Sequence, residues 1–434
     1  MQIIQKIKKS NNIFIVIVFT VITLVYLVFR NKTPGWGDSP AFLLFSVEGF
    51  GWSVNATGHF LYSNLNSLVL KVFPFADPVT ILTLCSIIFS VFSLWRIYQT
   101  VKLLTGEDIS ALLSAITLGF SFTFWRQTEI IEVYSFYNFI VSTVFYYTIK
   151  DLINSEFKNS VKVGLWLGLA VITHIQTALL LPFYIFYLLQ GNRKNTRKTI
   201  YSIVIFLSIT SLLFIPVLFF NIYTVSSIFF DFKFKSSVLN LDFSSMISGF
   251  VKSIFYAVYN FHFLLFFIGY GMVLCFKEKK NVFLILLLVI LPVWFFAFRY
   301  PASDNYVFFL QAYIAFVIMS GYGYQFLVEK LRKRKIIFTV LFASLFLSPM
   351  LYFSAMKISY SVPQLVSFNN RTAYKGGLKY YLWPGMEDCV DPLEIAVKQF
   401  KTGKIPANID NAEWDKNYSL AIKYLKHKGV INGE

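Results

Sequence analysis

Runs of about 20 mostly apolar residues, each long enough for a helix to cross the hydrocarbon of a bilayer, recur along this chain almost from end to end. They lie near residues 13–30, 78–97, 109–124, 134–150, 161–174, 175–190, 199–222, 253–275, 281–298, 305–326 and 336–354. Only 14% of the chain is charged, against about 25% in ordinary soluble domains, and it carries 50 Phe. Lipid is therefore its main solvent. The expected fold is an all-α polytopic membrane bundle of about eleven transmembrane helices. The bundle would occupy residues 1–354, with a large first outer loop at 31–77 and a small soluble C-terminal tail domain at 355–434.

A net charge of +17 could suggest a nucleic-acid partner, but its placement says otherwise. With the N-terminus inside, the inner segments hold twenty Lys and Arg, including Lys6, Lys8, Lys9, Arg193, Lys194 and the run from Lys330 to Lys335. The outer loops, leaving the tail aside, hold eight: Arg30, Lys32, Lys71, Arg126, Lys233, Lys235, Lys252 and Arg299. The positive-inside rule then predicts a cytoplasmic N-terminus and an extracytoplasmic tail. The surplus is an orientation signal with a modest attraction to anionic membrane lipids, and nucleic acid is not an expected partner. The first span follows a Lys-rich start but lacks a small-x-small cleavage site, so it is expected to stay as a helix. Cys85 and Cys275 fall in spans and Cys389 is alone in the tail, which offers neither a disulfide framework nor a thiolate metal site.

Three regions are not spans. The first outer loop alternates polar points with apolar runs and predicts short helices lying in the interface. A second outer loop, 223–252, carries the aromatic and basic run from Phe229 to Lys235, suited to headgroup level. The tail has a turn at Trp383-Pro384-Gly385 and helical patterning near 391–402 and 413–428.

The informative polar residues all map to the outer side. Asp38 and Glu48 lie in the first loop, and Arg126, Gln127, Glu129 and Glu132 lie between the third and fourth spans. His174 sits between the fifth and sixth, and Arg299 and Asp304 between the ninth and tenth. Ionisable groups at membrane depth are costly and usually face an interior or aqueous cavity, which makes these functional candidates. Asp38 can be read as a helix cap before Ser39-Pro40 or as a carboxylate general base. Glu129 and Glu132, three apart, would share one face of a helix beginning there, either as favourable first-turn acids or as site groups. Four His at no ligand spacing make His174 a hydrogen-bonded loop residue and not a metal ligand. Arg299 can be an interfacial snorkelling residue or a phosphate fork.

At these residues the chain resembles the bacterial protein O-mannosyltransferase-like membrane family, polytopic relatives of the GT-C glycosyltransferases. Gly37-Asp38-Ser39 looks like that family's block after its first span, followed by Gly58-His59-Phe60-Leu61-Tyr62. Phe124-Trp125-Arg126-Gln127, then Glu132-Val133-Tyr134 with Asn138, is similar to a second block. Thr173-His174 with Pro182, Asp304 with Phe308-Phe309-Leu310, and Tyr380 to Pro384 resemble three more, all in order. Pro40, Ala41 and Asn55-Ala56-Thr57 depart from the family pattern and mark a divergent subgroup.

The resemblance implies a membrane glycosyltransferase that moves a sugar, mannose being the expected one, from a polyprenyl-phosphate donor to a hydroxyl on the non-cytoplasmic face. The acceptor would be a Ser or Thr of an exported protein, or a glycan. It implies Asp38 as base, and Arg126 or Arg299, helped by Lys233 and Lys235, offsetting charge on the leaving phosphate. Gln127, Glu132, Tyr134, His174, Asp304 and His59 would shape the pocket. Neither a metal nor another cofactor is expected, because basic side chains can take the leaving-group charge, and the expected home is the bacterial inner membrane. A transporter or lipid-linked-sugar flippase is the alternative from another class, and an enzyme-derived scaffold without activity is a third.

Overall fold

The protein is described by a computed structural model over residues 2–191, 196–229, 242–300, 302, 304–331, 334–405, 409 and 411–431. The described residues form helices joined by turns, with no strand among them. The membrane part begins with α1 (Gln2–Phe29), α2 (Ser39–Glu48), α3 (Phe60–Val72), α4 (Pro78–Thr105), α5 (Asp108–Gly119) and α6 (Phe122–Thr128). It continues through α7 (Val133–Asn154), α8 (Phe157–Thr173), α9 (Leu181–Gly191), α10 (Thr196–Thr210), α11 (Ile215–Phe220) and α12 (Val225–Phe229). After it come α13 (Phe243–Phe261), α14 (Leu265–Glu278), α15 (Lys280–Arg299), α16 (Leu310–Leu331) and α17 (Arg334–Ser359). The tail adds α18 (Pro363–Arg371), α19 (Gly377–Leu382), α20 (Pro392–Thr402) and α21 (Asn411–His427).

Every apolar stretch of the sequence is helical. Among the described residues, length and apolarity together qualify five helices to cross a membrane, or six if the pair α5 and α6 counts as one broken span. The expected number of about eleven is therefore not reached on those two criteria. Two of the stretches are helices too short to qualify, Ile13–Phe29 and Ile175–Gln190, the second starting as a 3-10 turn over Ile175–Leu180; the stretch near 199–222 does qualify, as Thr196–Phe220, although it passes through a 3-10 turn at Ser211–Phe214.

Helix ends follow their local chemistry. Asp77 caps α4 by accepting the Thr80 amide at 2.8 Å, and Gly106, in the left-handed region, closes it. Between α5 and α6 the chain bends by 73°, with Ser121 extended. The bend turns Trp125, Arg126 and Gln127 sideways across the bundle, all three buried. Helices meet through small residues, as expected where lipid supplies no hydrophobic drive between them. A Cβ on Gly164 would lie 2.2 Å from the Ser202 carbonyl oxygen, one on Gly271 2.4 Å from that of Met319, and one on Gly323 2.3 Å from that of Phe267. These contacts bring α8 to α10 and α14 to α16, and α16 is enclosed along most of its length.

The segment 31–77 holds two short helices, α2 and α3. Lys233 and Lys235 lie outside the described residues. The tail forms the two expected helices, α20 and α21, and is built into the bundle: Trp383, Ala396, Trp414, Ala421 and Tyr424 belong to the same buried core as Tyr26, Trp125 and Tyr137.

Candidate functional site

Asp38 stands immediately before α2, where a side-chain oxygen usually accepts the amide of the second or third helical residue. The second is Pro40, which has no amide hydrogen, and the Asp38 side chain makes no capping bond. Only its backbone carbonyl is engaged, by the Phe42 amide at 3.0 Å. Capping thus leaves the carboxylate free. It opens on a cavity of about 2300 Å³, and Lys416 Nζ, from α21, donates to its Oδ1 at 2.7 Å.

The same cavity is walled by His59, Arg126, Gln127, Glu132, Tyr134, His174 and Asp304. Seven of the eight residues singled out beside Asp38 therefore share one space with it. Arg299 is the exception: it is not in the cavity wall, and its guanidinium lies 5.1 Å from the Phe295 ring one turn back on α15. That placement matches the snorkelling alternative, in which an arginine at a helix end packs its stem along its own helix.

The two glutamates between α6 and α7 do not share a helix face. Residues 129–132 lie between helices, with Glu129 closing α6 and Glu132 opening α7. Glu129, fully buried, turns away from the cavity: its carboxylate accepts the Trp125 indole and, at 3.1 Å, the Met386 amide. Glu132 is half-buried in the wall, where its side chain reaches the Val133 amide at 3.3 Å. Desolvation, then the nearby Asp38 and Asp304 charges, push its carboxyl well above the usual range. Asp304 is raised by the same desolvation and by Asp38.

Arg126 is buried, donates Nη1 to the Tyr380 carbonyl, and sets its guanidinium 4.3 Å from the Tyr380 ring. Gln127, one residue on, lines the cavity and is buried, with no hydrogen-bond partner for its Oε1. Asn138 from the same block is buried with neither end of its amide bonded, and it lies outside the wall. His59 sits in the left-handed region at φ 51° and donates Nδ1–H to the Thr173 carbonyl at 3.2 Å. Its ring lies 4.6 Å from that of His174, which stacks on Tyr137 and meets Tyr134 at 5.4 Å. His174 Nδ1 accepts the Gln176 amide at 3.1 Å, so it is the hydrogen-bonded loop histidine that the spacing predicted. Burial holds both imidazoles below the ordinary 6.5, and for His174 the charge of His59 adds to this. Among the described residues, no three His, Cys, Asp or Glu side chains gather as a metal site.

Sequence reasoning missed the tail's share of the wall: Arg371, Lys375, Tyr380 and Lys416. Lys375 is buried, with its ammonium 5.9 Å from the Tyr380 ring whose other partner is Arg126. One signal pointed here, the Tyr380 to Pro384 block, but nothing in the composition of a soluble-looking tail marks which lysine turns inward.

The arrangement offers a carboxylate free to take a proton, a buried guanidinium and ammonium on a shared aromatic, and apolar walls. Its charges would suit a polar, phosphate-bearing ligand.

Residues 60–220 match the family described as dolichyl-phosphate-mannose-protein mannosyltransferase. The fold is similar to that of ArnT from Cupriavidus metallidurans bound to undecaprenyl phosphate, with a TM-score of 0.57 and 13% identity over 96% of this chain and 77% of that one. The apo state of the same protein matches at 0.57 and 12% identity, over 97% and 78%. The Archaeoglobus fulgidus oligosaccharyltransferase tethered to an acceptor peptide containing the NVT sequon matches at 0.55 and 12% identity, over 93% of this chain and 58% of that one. No curated protein sequence matches the chain.

Proposed function

We propose that this chain, a member of the GT-C glycosyltransferase superfamily, moves a sugar from a polyprenyl-phosphate carrier to a hydroxyl acceptor on the non-cytoplasmic face of the membrane. The observation that carries the reading is the Asp38 carboxylate, uncapped and open to a cavity that also holds a buried arginine and lysine. ArnT's bound undecaprenyl phosphate supports a polyprenyl-phosphate donor, and the mannosyltransferase family match supports mannose and a protein acceptor, whose hydroxyl would be that of a Ser or Thr. The N-terminus would be cytoplasmic and the tail outside, in a bacterial inner membrane.

The reaction is a single displacement with inversion. The acceptor oxygen attacks the anomeric carbon while Asp38 takes the hydroxyl proton. The bond from that carbon to the phosphate oxygen breaks, and its electron pair leaves on the phosphate. Charge then grows on the leaving group, where Arg126 and Lys375 stand ready to offset it. Arg126 spends one N–H on Tyr380 and keeps others for a phosphate oxygen. Gln127 Oε1, Tyr134 and the two neutral imidazoles supply hydrogen bonds and stacking for sugar and acceptor.

The test is transfer from a labelled polyprenyl-phosphate sugar in detergent, where no transmembrane gradient exists and a transporter would do nothing. Asp38→Asn keeps the shape and removes the base, and should lower transfer about a hundredfold or more. Undiminished transfer removes Asp38 from that role.

A further inference from the structure

Two residues of α21 meet two residues of the first outer loop in register. Trp414, fully buried, sets its ring 5.7 Å from that of Trp36, and Lys416 reaches Asp38 at 2.7 Å. Trp36 is further pinned by its indole, which donates to the Val390 carbonyl at 2.9 Å. Between the two contacts lies Gly37 at φ 81°. The tail thus grips the loop on both sides of one glycine, and the second grip is made on the carboxylate proposed as base.

We propose that Lys416 is a positioning residue of the catalytic centre: by holding Asp38 Oδ1 it fixes the carboxylate plane and presents Oδ2 to the acceptor hydroxyl. This rests on the glycosyl-transfer reading of the cavity. An ionised carboxylate has two oxygens and only accepts, so one can be tied while the other works. The tie is needed because the terminal torsion of Asp is broad and no helix cap restrains it here. Glu132 and Asp304 line the same cavity, close enough to Asp38 for its charge to raise both their carboxyls, so Lys416 supplies a cation to this acidic wall. Side chains of Asp38 and Lys416 are 53% and 61% exposed, so the pair adds little to stability. Its effect is on geometry, where a small misplacement of a reacting group costs about tenfold to a hundredfold in rate.

The experiment is a double-mutant cycle on purified full-length protein with the labelled polyprenyl-phosphate sugar, comparing wild type, Asp38→Asn, Lys416→Met and the double variant. Lys416→Met should lower kcat about tenfold with the donor KM unchanged, Lys416→Arg should restore most of it, and Lys416→Met should cost nothing further in the Asp38→Asn background. A loss that appears only in KM, a loss that adds fully to that of Asp38→Asn, or no loss at all overturns the role of Lys416. If Asp38→Asn is itself silent, the base assignment has failed, an outcome separate from the other three. Should Lys416→Met not accumulate, Lys416→Gln answers the same comparison.

Discussion

The Met386 amide donates to the buried Glu129 carboxylate at 3.1 Å, joining residues 257 apart in the chain. The same amide also meets the Phe29 carbonyl at 2.9 Å, and the Asn31 amide meets the Glu129 carbonyl at 3.0 Å. Three strands of connection, from the end of α1, the end of α6 and the tail, therefore close at one glutamate. Arg126, one turn back along α6, holds Tyr380 from the other side.

Glu129→Ala should loosen that closure. It leaves the buried Trp125 indole without an acceptor, at about 1–3 kcal/mol, while the Met386 amide keeps Phe29. Chemical unfolding in detergent should show the loss, and limited proteolysis should cut the tail faster than in wild type. Glu132→Gln, whose carboxylate makes no hydrogen bond to a tail residue among the described residues, should lower transfer and leave the proteolysis pattern as it was. The reverse pattern would return Glu129 to the cavity and Glu132 to the frame.

Gly37 supplies a backbone conformation at φ 81° that a side chain resists, although a Cβ there meets nothing within 4 Å. The cost of Gly37→Ala is therefore conformational, about 1–2 kcal/mol, and falls on the link between Trp36 and Asp38. Transfer should rank Gly above Asn above Ala above Val at this position, because Asn tolerates the left-handed region best of the three. Equal activity of all four would mean the Trp36 and Asp38 contacts do not depend on the turn between them.

The neutral histidine pair sets an acid limit on stability. Burial lowers the folded pKa of His59 and His174 below the unfolded 6.5, so the unfolded chain binds protons first as pH falls. Stability contributed by these rings is complete above about pH 6.5 and declines as pH drops below that value toward their folded pKa. Glu132, raised in the fold, works the opposite way from its unfolded 4.5 upward, so the histidine part is read as a difference. Melting temperature of wild type and His174→Asn, followed from pH 8 to pH 5, should converge as the medium becomes acid. Parallel curves would show that the imidazole binds its proton equally well in the folded and unfolded chain, so that burial does not lower its pKa.

The helical frame was legible from apolar length, and Asp38 with seven other residues of the cavity wall from polar groups near the ends of the apolar stretches. Asp38 was legible, yet its two readings were separable only in the structure, where its side chain makes no capping bond and lines the cavity. Glu129 and Glu132 were set on one helical face because spacing of three says so. The chain breaks between them, and a break of four residues leaves no mark in periodicity. Arg299 occupies the right loop, but loop position does not say which way a long flexible side chain lies. Lys416 and Lys375 were invisible for a different reason: a lysine in a soluble-looking tail is ordinary until the tail is seen folded back on the cavity, a contact of long sequence separation that no local pattern encodes.

The grip of α21 on Trp36 and Asp38 also orders events in the life of the chain. A nascent protein has its bundle complete long before residues 411–427 emerge, and up to then the proposed base hangs unheld beside an unfinished wall. Any sugar transfer by a copy that has not yet set this helix against the first loop should therefore run about tenfold or more below that of the finished protein.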